Sequence, residues 1–270
     1  MTDIRRLAES DLAYAAELSS LAGWNQVEGD WARLLRLAPE SCWCIESSGR
    51  PVSTTCVLRY GDVGWVGMVL THPEHRHQGL ARRLMEHALA FCDARGVRTL
   101  KLDATELGRP LYTALGFEEE VLVERWVREG DGALPFPVSA QDSAWKLARS
   151  LDAEAFGADR MDLLCDLAAT GVAFGGHAGC AFLRPGRQAH HFGPCVAEST
   201  QAAGELVKAA LLTSAERRCL WDLLPESPAA VALATNCGFT KQRTLWRMRR
   251  GAVMKTRTEA VFAEAGFELG

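Results

Sequence analysis

One order of elements occurs twice along this chain, and that repetition limits the possible folds more than any other feature. In the first half a strand-like run leads through "LDATELGRPLYTALGF", Leu102–Phe117, to "VERW", Val123–Trp126. In the second, "WDLLPESPAAVALATNCGF", Trp221–Phe239, leads to "TLWRM", Thr244–Met248. Each half has a strand group, a helix, a strand ending near an Asp, a short helix closing in Gly-Phe, and a final strand containing Trp. Self-similarity of this kind signals a duplicated supersecondary unit. A chain of 270 residues has room for two domains of ordinary size. The expected fold class is therefore α/β (α+β): tandem modules, each a mixed, mostly antiparallel sheet flanked by helices. The boundaries fall at 1–129 and 146–270, with a linker over 130–145 where "GDGALPFPVSAQ", Gly130–Gln141, gathers Gly and Pro.

Periodicity and breakers place the elements. "AESDLAYAAELSSLAG" reads as a helix stopped at Gly23, and "EGDWARLLRLAPE" as a second ended by Pro39. "SCWCIES", "PVSTTCVLRY" and "DVGWVGMVLT" alternate as strands. "LARRLMEHALAFCDARG" is a helix, with Leu80, Leu84, His87, Ala88 and Phe91 at helical spacing and Gly96 at its stop. After the linker the chain reads as helix-poor. Three strands with Gly-rich turns follow in "GVAFGGHAGCAFLRPGRQAHHFGPCVAEST".

With 48% hydrophobic and 24% charged residues, the sequence can bury a sizeable core. A net charge of -4 argues against a partner recognised through overall positive charge, so nucleic acid is not expected. The N-terminus lacks a signal-peptide h-region, and no apolar run of about 18 residues spans a membrane, so a cytoplasmic protein is expected. Nine cysteines, an odd number without C-x-x-C, fit reduced thiols, and Cys42 and Cys44 at strand spacing read as buried thiols.

The densest stretch is "HPEHRHQGLARRL", His72–Leu84, at a strand-to-helix junction. Zinc would need His72, His75 and His77 to converge from a loop with a fourth ligand, and their spacing matches no familiar metal arrangement, so no metal is expected. Single-stranded nucleic acid would require aromatic platforms that are missing. A phosphate cradle fits: free N–H groups at a helix N-terminus, with the helix dipole behind them, attract anions. Gly79 allows close backbone approach, and Arg76 adds a charge-assisted contact.

These residues bear a family resemblance. "R-x-x-G-x-A" over Arg76–Ala81, with the following helix, the "KLDAT" strand and "LYTALGF" in that order, resembles the GCN5-related N-acetyltransferases across Ile4–Val127. The duplication resembles the two-module, YitH/HolE-type branch. The resemblance implies acetyl-CoA as cosubstrate and direct acetyl transfer to an amine. It implies cofactor contacts from Met68, Val69 and Leu70, from Arg76, His77, Gln78, Gly79, Leu80, Ala81 and Arg82, and from Tyr112. A backbone N–H near Val69 or Leu70 would polarise the thioester carbonyl, and Gly67 inside the strand marks a bulge there. Tyr112 matches the position that protonates the departing thiolate, though a ring packed under the sheet is the competing reading. The second half reads "GPCVAESTQAAGEL" at the equivalent junction, without the motif and with Glu198, and has Ala234 where the first has Tyr112. That half is expected not to bind coenzyme A.

The acceptor is harder to read. His72 beside the reaction centre, or Glu28, would take the amine's proton, while Glu28 and Asp30 serve equally as helix caps. His177 is a further candidate from the second half. Trp24, Asn25 and Asp30 are the substrate-binding candidates, and Trp24 and Trp31 fit either a pocket wall or the core. The expected function is transfer of an acetyl group to a primary amine of a small molecule, by a monomer or homodimer. The alternatives are a non-catalytic acyl-CoA sensor and an acyltransferase acting on a protein amine.

Overall fold

A computed structural model describes residues 3–130 and 143–270, so most of the expected linker lies outside the described residues. The first half runs β1 (Ile4–Arg6), α1 (Leu12–Leu21), α2 (Glu28–Leu37), β2 (Cys42–Ser47), β3 (Arg50–Tyr60), β4 (Val63–Thr71), α3 (Leu80–Asp93), β5 (Thr99–Ala104), α4 (Arg109–Ala114) and β6 (Glu118–Arg128). The second runs α5 (Arg149–Phe156), α6 (Met161–Thr170), β7 (Val172–Gly176), β8 (Gly179–Arg184), β9 (His190–Ala197), α7 (Thr200–Thr213), β10 (Cys219–Leu223), α8 (Pro228–Asn236), β11 (Thr240–Gly251) and β12 (Val261–Ala263).

Among the described residues all strands join one 12-stranded sheet ordered β1-β2-β3-β4-β5-β11-β6-β10-β9-β8-β7, with β12 beside β9. That order is nearly a palindrome, and its centre shows how the halves combine. β11, last long strand of the second half, pairs antiparallel with β5 of the first, Trp246–Gly251 against Ala104–Thr99. Reciprocally, β6 of the first half pairs with β10 of the second. Each half therefore completes its sheet with the other's final strand. The modules are consecutive in sequence but exchanged in space.

The side-chain alternation of strands divides the core into layers. Cys42 and Cys44 face the layer under α1, α2, α5 and α6, where Trp31, Leu34, Leu151, Leu163 and Leu167 form one cluster shared by both halves. Trp43 and Ile45 face the opposite layer under α3 and α4. A matching cluster lies under α7 and α8. Cys42 and Cys44 are free buried thiols, as their strand spacing implies, and so is Cys56, opposite Cys42 on β3.

Two parts of the sequence reading change. The region after the linker is helical: α5 and α6 bury Leu151 and Ala155, then Leu163, Leu164 and Leu167. Their periodicity was obscured because Gly157 at φ 93° and a turn divide two short helices. They are the counterparts of α1 and α2, so the duplication is more complete than the motifs indicate. In α3 the buried stripe is Leu80, Leu84, Met85, Ala88, Leu89 and Cys92, while His87 is exposed with its ring edge-on to Trp43. Among the described residues no helix is long and apolar enough to cross a membrane.

The chain after β11 carries structure that its sequence does not advertise. Strands β9 and β10 pair in parallel only over His190–Phe192 and Cys219–Trp221, then part. Into that gap runs β12, pairing with β9 at Val196 and Cys195, while the Glu264 amide donates to the Asp222 carbonyl of β10. The tail then turns beneath β4 of the first half. There the Trp65 indole donates to the Phe267 carbonyl at 3.0 Å and the Tyr60 hydroxyl to the Leu269 carbonyl at 2.8 Å.

Candidate active site

The first half has the same parting of parallel strands, and among the described residues no strand enters it. β4 pairs with β5 only over Val63–Trp65 against Thr99–Lys101. Beyond that point a bulge opens in β4, with a register shift against Thr54–Cys56 and Met68 at φ 56°. A bulge adds one residue and flips the side-chain parity. Val63 and Trp65 face the shared core before it, and Met68 and Leu70 face that core after it. The Gly67 that marks the bulge is also required by space. A Cβ there would lie 2.8 Å from the Glu268 carbonyl oxygen and 2.9 Å from its Cα.

β4 ends at the motif singled out in the sequence. The His72 amide is held by the Val52 carbonyl at 2.8 Å, and a single turn over Pro73–His75 follows. His77 and Gly79 then take positive φ, 62° and 74°, and Gly79 is the residue preceding the first turn of α3. A non-glycine side chain at position 79 would meet nothing within 4 Å, so the glycine serves backbone conformation and leaves open space above it. The first helical amides, those of Leu80, Ala81 and Arg82, have no intrahelical acceptor because the ladder starts with Arg83 on the Gly79 carbonyl at 3.1 Å. Arg76, His77, Gln78 and Arg82 are exposed around them, and the buried Leu80 anchors the turn. Amides without a side-chain cap, the positive end of the helix dipole and exposed cations thus share one turn of chain.

Tyr112 stands inside the parted strands. It lines one cavity with Val66, Met68, Val69, Leu102 and Thr105, and is only 8% exposed. Burial pushes its phenol pKa up, so the hydroxyl keeps its proton at neutral pH. Its ring lies against Gly108, where a Cβ would come within 2.9 Å of it.

The far wall of this cavity includes Trp24, an expected acceptor-binding residue, and otherwise comes from residues the sequence reading did not connect with it. Trp24 and Gln26 enter from the α1–α2 loop, Arg125 from β6, Arg243 and Leu245 from β11, and Phe267 and Glu268 from the tail. Arg125 grips Asp222 through two bonds of 2.7 and 2.6 Å and stacks over the Phe267 ring at 4.2 Å. Asp103, also lining the cavity, is held by Arg247 at 2.9 and 3.0 Å. Burial pushes the Asp103 carboxyl up to about 6 although Arg247 pulls the other way. Glu268 accepts from Arg184 at 2.9 Å.

The sequence candidates separate into those gathered here and those placed elsewhere. Met68, Val69, Tyr112 and Trp24 share the cavity, and Leu70 and the loop from Arg76 to Arg82 continue from its β4 edge. His72 is not among the lining residues; its Nδ1 accepts from the Glu74 amide at 3.3 Å, capping the turn. Glu28 is exposed at the start of α2 and Asp30 caps the same helix through the Val27 amide, at 2.9 Å, while pairing with Arg33 at 2.5 Å. The Asn25 side chain bonds the Ala189 carbonyl and the Gln188 and Ala189 amides, pinning the two halves together. Trp31 is core, its indole on Ser19, and His177 is exposed in the β7–β8 turn. The tail "VFAEAGFELG", which supplies part of that wall, is too short and too interrupted by charge and glycine to show a period.

Comparison with known families bears on both halves. The model of the acetyltransferase (GNAT) family matches residues 5–117, and that of an acetyltransferase (GNAT) domain matches residues 148–263. The chain belongs to the GNAT acetyltransferase family. Of curated proteins, it is similar to the uncharacterized N-acetyltransferase YitH of Bacillus subtilis, 24% identical over 173 residues, 61% of this chain and 60% of that protein. Of solved structures, a putative acetyltransferase from Pyrococcus horikoshii superposes with TM-score 0.86 at 19% identity, covering 100% of this chain and 96% of the other. A tandem GNAT protein from the clavulanic acid biosynthesis pathway gives 0.64 at 16%, covering 94% and 99%. These likenesses establish a shared fold across two GNAT units.

The two GNAT units differ where a ligand would enter. In the second, β12 occupies the parting between β9 and β10. The amide of Ala202 at the start of α7 is taken by the Ser199 hydroxyl at 3.2 Å, and Glu198 beside it pairs with Arg257 at 2.8 Å. The second GNAT unit thus has a strand in its gap and a side-chain cap on its helix, while among the described residues the first has neither. Among the described residues no group of His, Cys, Asp and Glu is arranged to hold a metal.

Proposed function

We propose that this chain is an acetyl-CoA-dependent N-acetyltransferase whose first GNAT unit holds the cosubstrate and carries the chemistry. The supporting observation is what one strand joins: β4, free of its parallel neighbour beyond Trp65 and bulged, lines the cavity of a buried protonated phenol and leads into a helix terminus at Gly79–Arg82 that has no side-chain cap. Acetyl-CoA would supply the acetyl group as a thioester. The free amides of α3, with Arg76, hold its pyrophosphate. The backbone amides that the bulge frees at Val69 or Leu70 donate to the thioester carbonyl oxygen, where negative charge develops during attack. The acceptor attacks as the neutral amine, its ammonium proton having gone to solvent. As the C–N bond forms and the C–S bond breaks, Tyr112 delivers its proton to the leaving sulfur, and the excess proton on the new amide nitrogen returns the tyrosinate to phenol. The transfer is only slightly uphill between an ordinary phenol near 10 and a thiol near 8.5, and burial of the tyrosine makes it steeper unless the thiolate approaches closely.

The second GNAT unit contributes β11, Arg243 and the tail, which together wall the acceptor side. Its own gap is filled, so one acetyl-CoA per chain is expected. Calorimetric titration of acetyl-CoA into the wild-type protein and a Gly79→Glu variant tests the reading, followed by thiol release with a panel of small amines. Saturable binding near one per chain, abolished by the carboxylate at position 79, supports it. No binding to the wild type, or binding without thiol release from any amine, removes it.

A further inference from the structure

The cavity that Tyr112 shares with the tail contains two charged groups left incomplete by their neighbours. Glu268 is 4% exposed; its Oε1 accepts from Arg184 at 2.9 Å, and its Oε2 has no hydrogen-bond partner among the described residues. Arg243 forms no ion pair among the described residues, and its Nε is buried without a partner. Every other charge on this wall is matched: Arg125 by Asp222 and Asp103 by Arg247. A buried polar atom left unpaired costs roughly 1–3 kcal/mol, and such atoms in a native structure call for an explanation. Here one is a negatively charged hydrogen-bond acceptor and the other a positively charged hydrogen-bond donor. Both line the same cavity, with the Phe267 ring 5.1 Å from the Arg243 guanidinium.

We propose that the acceptor is an amine that also bears an anionic group, an amino carboxylate, bound with its ammonium on Glu268 and its carboxylate on Arg243. The ammonium loses one proton to solvent before it attacks as the neutral amine. This rests on the acetyltransferase reading above. An ammonium offers three donors and Glu268 Oε2 needs one; a carboxylate offers the planar oxygens that a guanidinium matches. A plain alkylamine would relieve Glu268 and leave Arg243 without its counterpart. A site with a buried polar group discriminates strongly against analogues that lack the matching partner. The apolar Phe267, Leu245 and Trp24 surfaces line the same cavity as the two anchors.

The test measures thiol release from acetyl-CoA with the protein amino acids, their carboxamides and simple alkylamines. At least one amino acid should exceed its own amide in kcat/KM by roughly 100-fold or more. Arg243→Met should collapse that ratio by raising KM for the acid alone, Arg243→Lys should restore part of it, and Glu268→Gln should raise KM for acid and amide together. Calorimetric titration of the preferred acid into protein saturated with coenzyme A provides a readout apart from turnover. Binding should be lost in Arg243→Met while affinity for coenzyme A is kept. Amides or alkylamines turned over as well as acids, or an acid preference unchanged in Arg243→Met, overturn the proposal and leave the acetyltransferase reading standing. Absence of acetyl-CoA binding, or of thiol release from every compound, removes both.

Discussion

Arg247 of β11 and Asp103 of β5 meet in a two-pronged ion pair, 2.9 and 3.0 Å, across the seam where the last strand of the second GNAT unit enters the sheet of the first. Arg247 also reaches Glu264 of the tail at 3.1 Å and stacks over Trp65 at 4.7 Å. One side chain thus joins β5, β11, β4 and the tail. Replacing it with Met would leave two buried carboxylates without a counter-charge. Removing one partner of a buried pair costs about 3–5 kcal/mol, so Arg247→Met should lower stability by that order. Urea unfolding checks it, and because the strands are exchanged, both GNAT units should unfold in one transition.

Asp103 gives that seam a pH dependence of definite sign. Its carboxyl, raised by burial to about 6, lies above the unfolded aspartate value of about 4. The folded chain therefore holds this proton more tightly than the unfolded chain. The group's contribution to stability falls as pH rises from about 4 to about 6 and is level above that. Measured as wild type minus Asp103→Asn, the unfolding free energy should decline across this window. A difference that stays flat or climbs there would show that Arg247 outweighs burial.

Tyr112→Phe removes a hydroxyl while keeping the ring that packs against Gly108 and Phe117. If the phenol protonates the thiolate, kcat should fall by about 100-fold or more, with little change in acetyl-CoA affinity. Steady-state kinetics with a good acceptor, beside calorimetry with acetyl-CoA, separates the two. An unchanged kcat assigns the tyrosine to packing alone. Gly108→Ala tests placement: its methyl would press on the ring, so kcat should fall with the hydroxyl intact.

These results mark which parts of the molecule could be read from its sequence. The loop at Arg76–Ala81, the bulge at Gly67 and the helix of Tyr112 are local devices. Positive φ, a free helix terminus and a glycine inside a strand all leave a trace within a few residues. The strand exchange leaves none, because β6 and β11 have the same alternation whichever neighbour they join. The acceptor wall is harder still. Arg125, Arg243 and Glu268 are far apart in sequence, and each resembles an ordinary surface charge until the fold brings them to one cavity. Asn25 shows the converse: its loop suggested a ligand contact, and its amide is used in holding the second unit at Gln188 and Ala189.

The close approach of Gly67 to Glu268 supports a last prediction, because it couples the cofactor strand to the acceptor wall. A methyl at position 67 would sit 2.8 and 2.9 Å from backbone atoms of Glu268, and backbone cannot rotate aside as a side chain can. The tail around it is fixed by Trp65 on the Phe267 carbonyl, Tyr60 on the Leu269 carbonyl and Arg184 on the Ala265 carbonyl. The methyl must therefore displace either the bulge or the tail. Overpacking of this kind costs typically 1–3 kcal/mol, so Gly67→Ala should lower thermal stability by a corresponding few degrees. If the tail yields, KM for the acceptor rises while acetyl-CoA affinity is kept; if the bulge yields, acetyl-CoA affinity falls as well. Thermal unfolding with both binding measurements distinguishes the two, and an alanine variant indistinguishable from wild type in all three would show that the tail does not bear on β4 in solution.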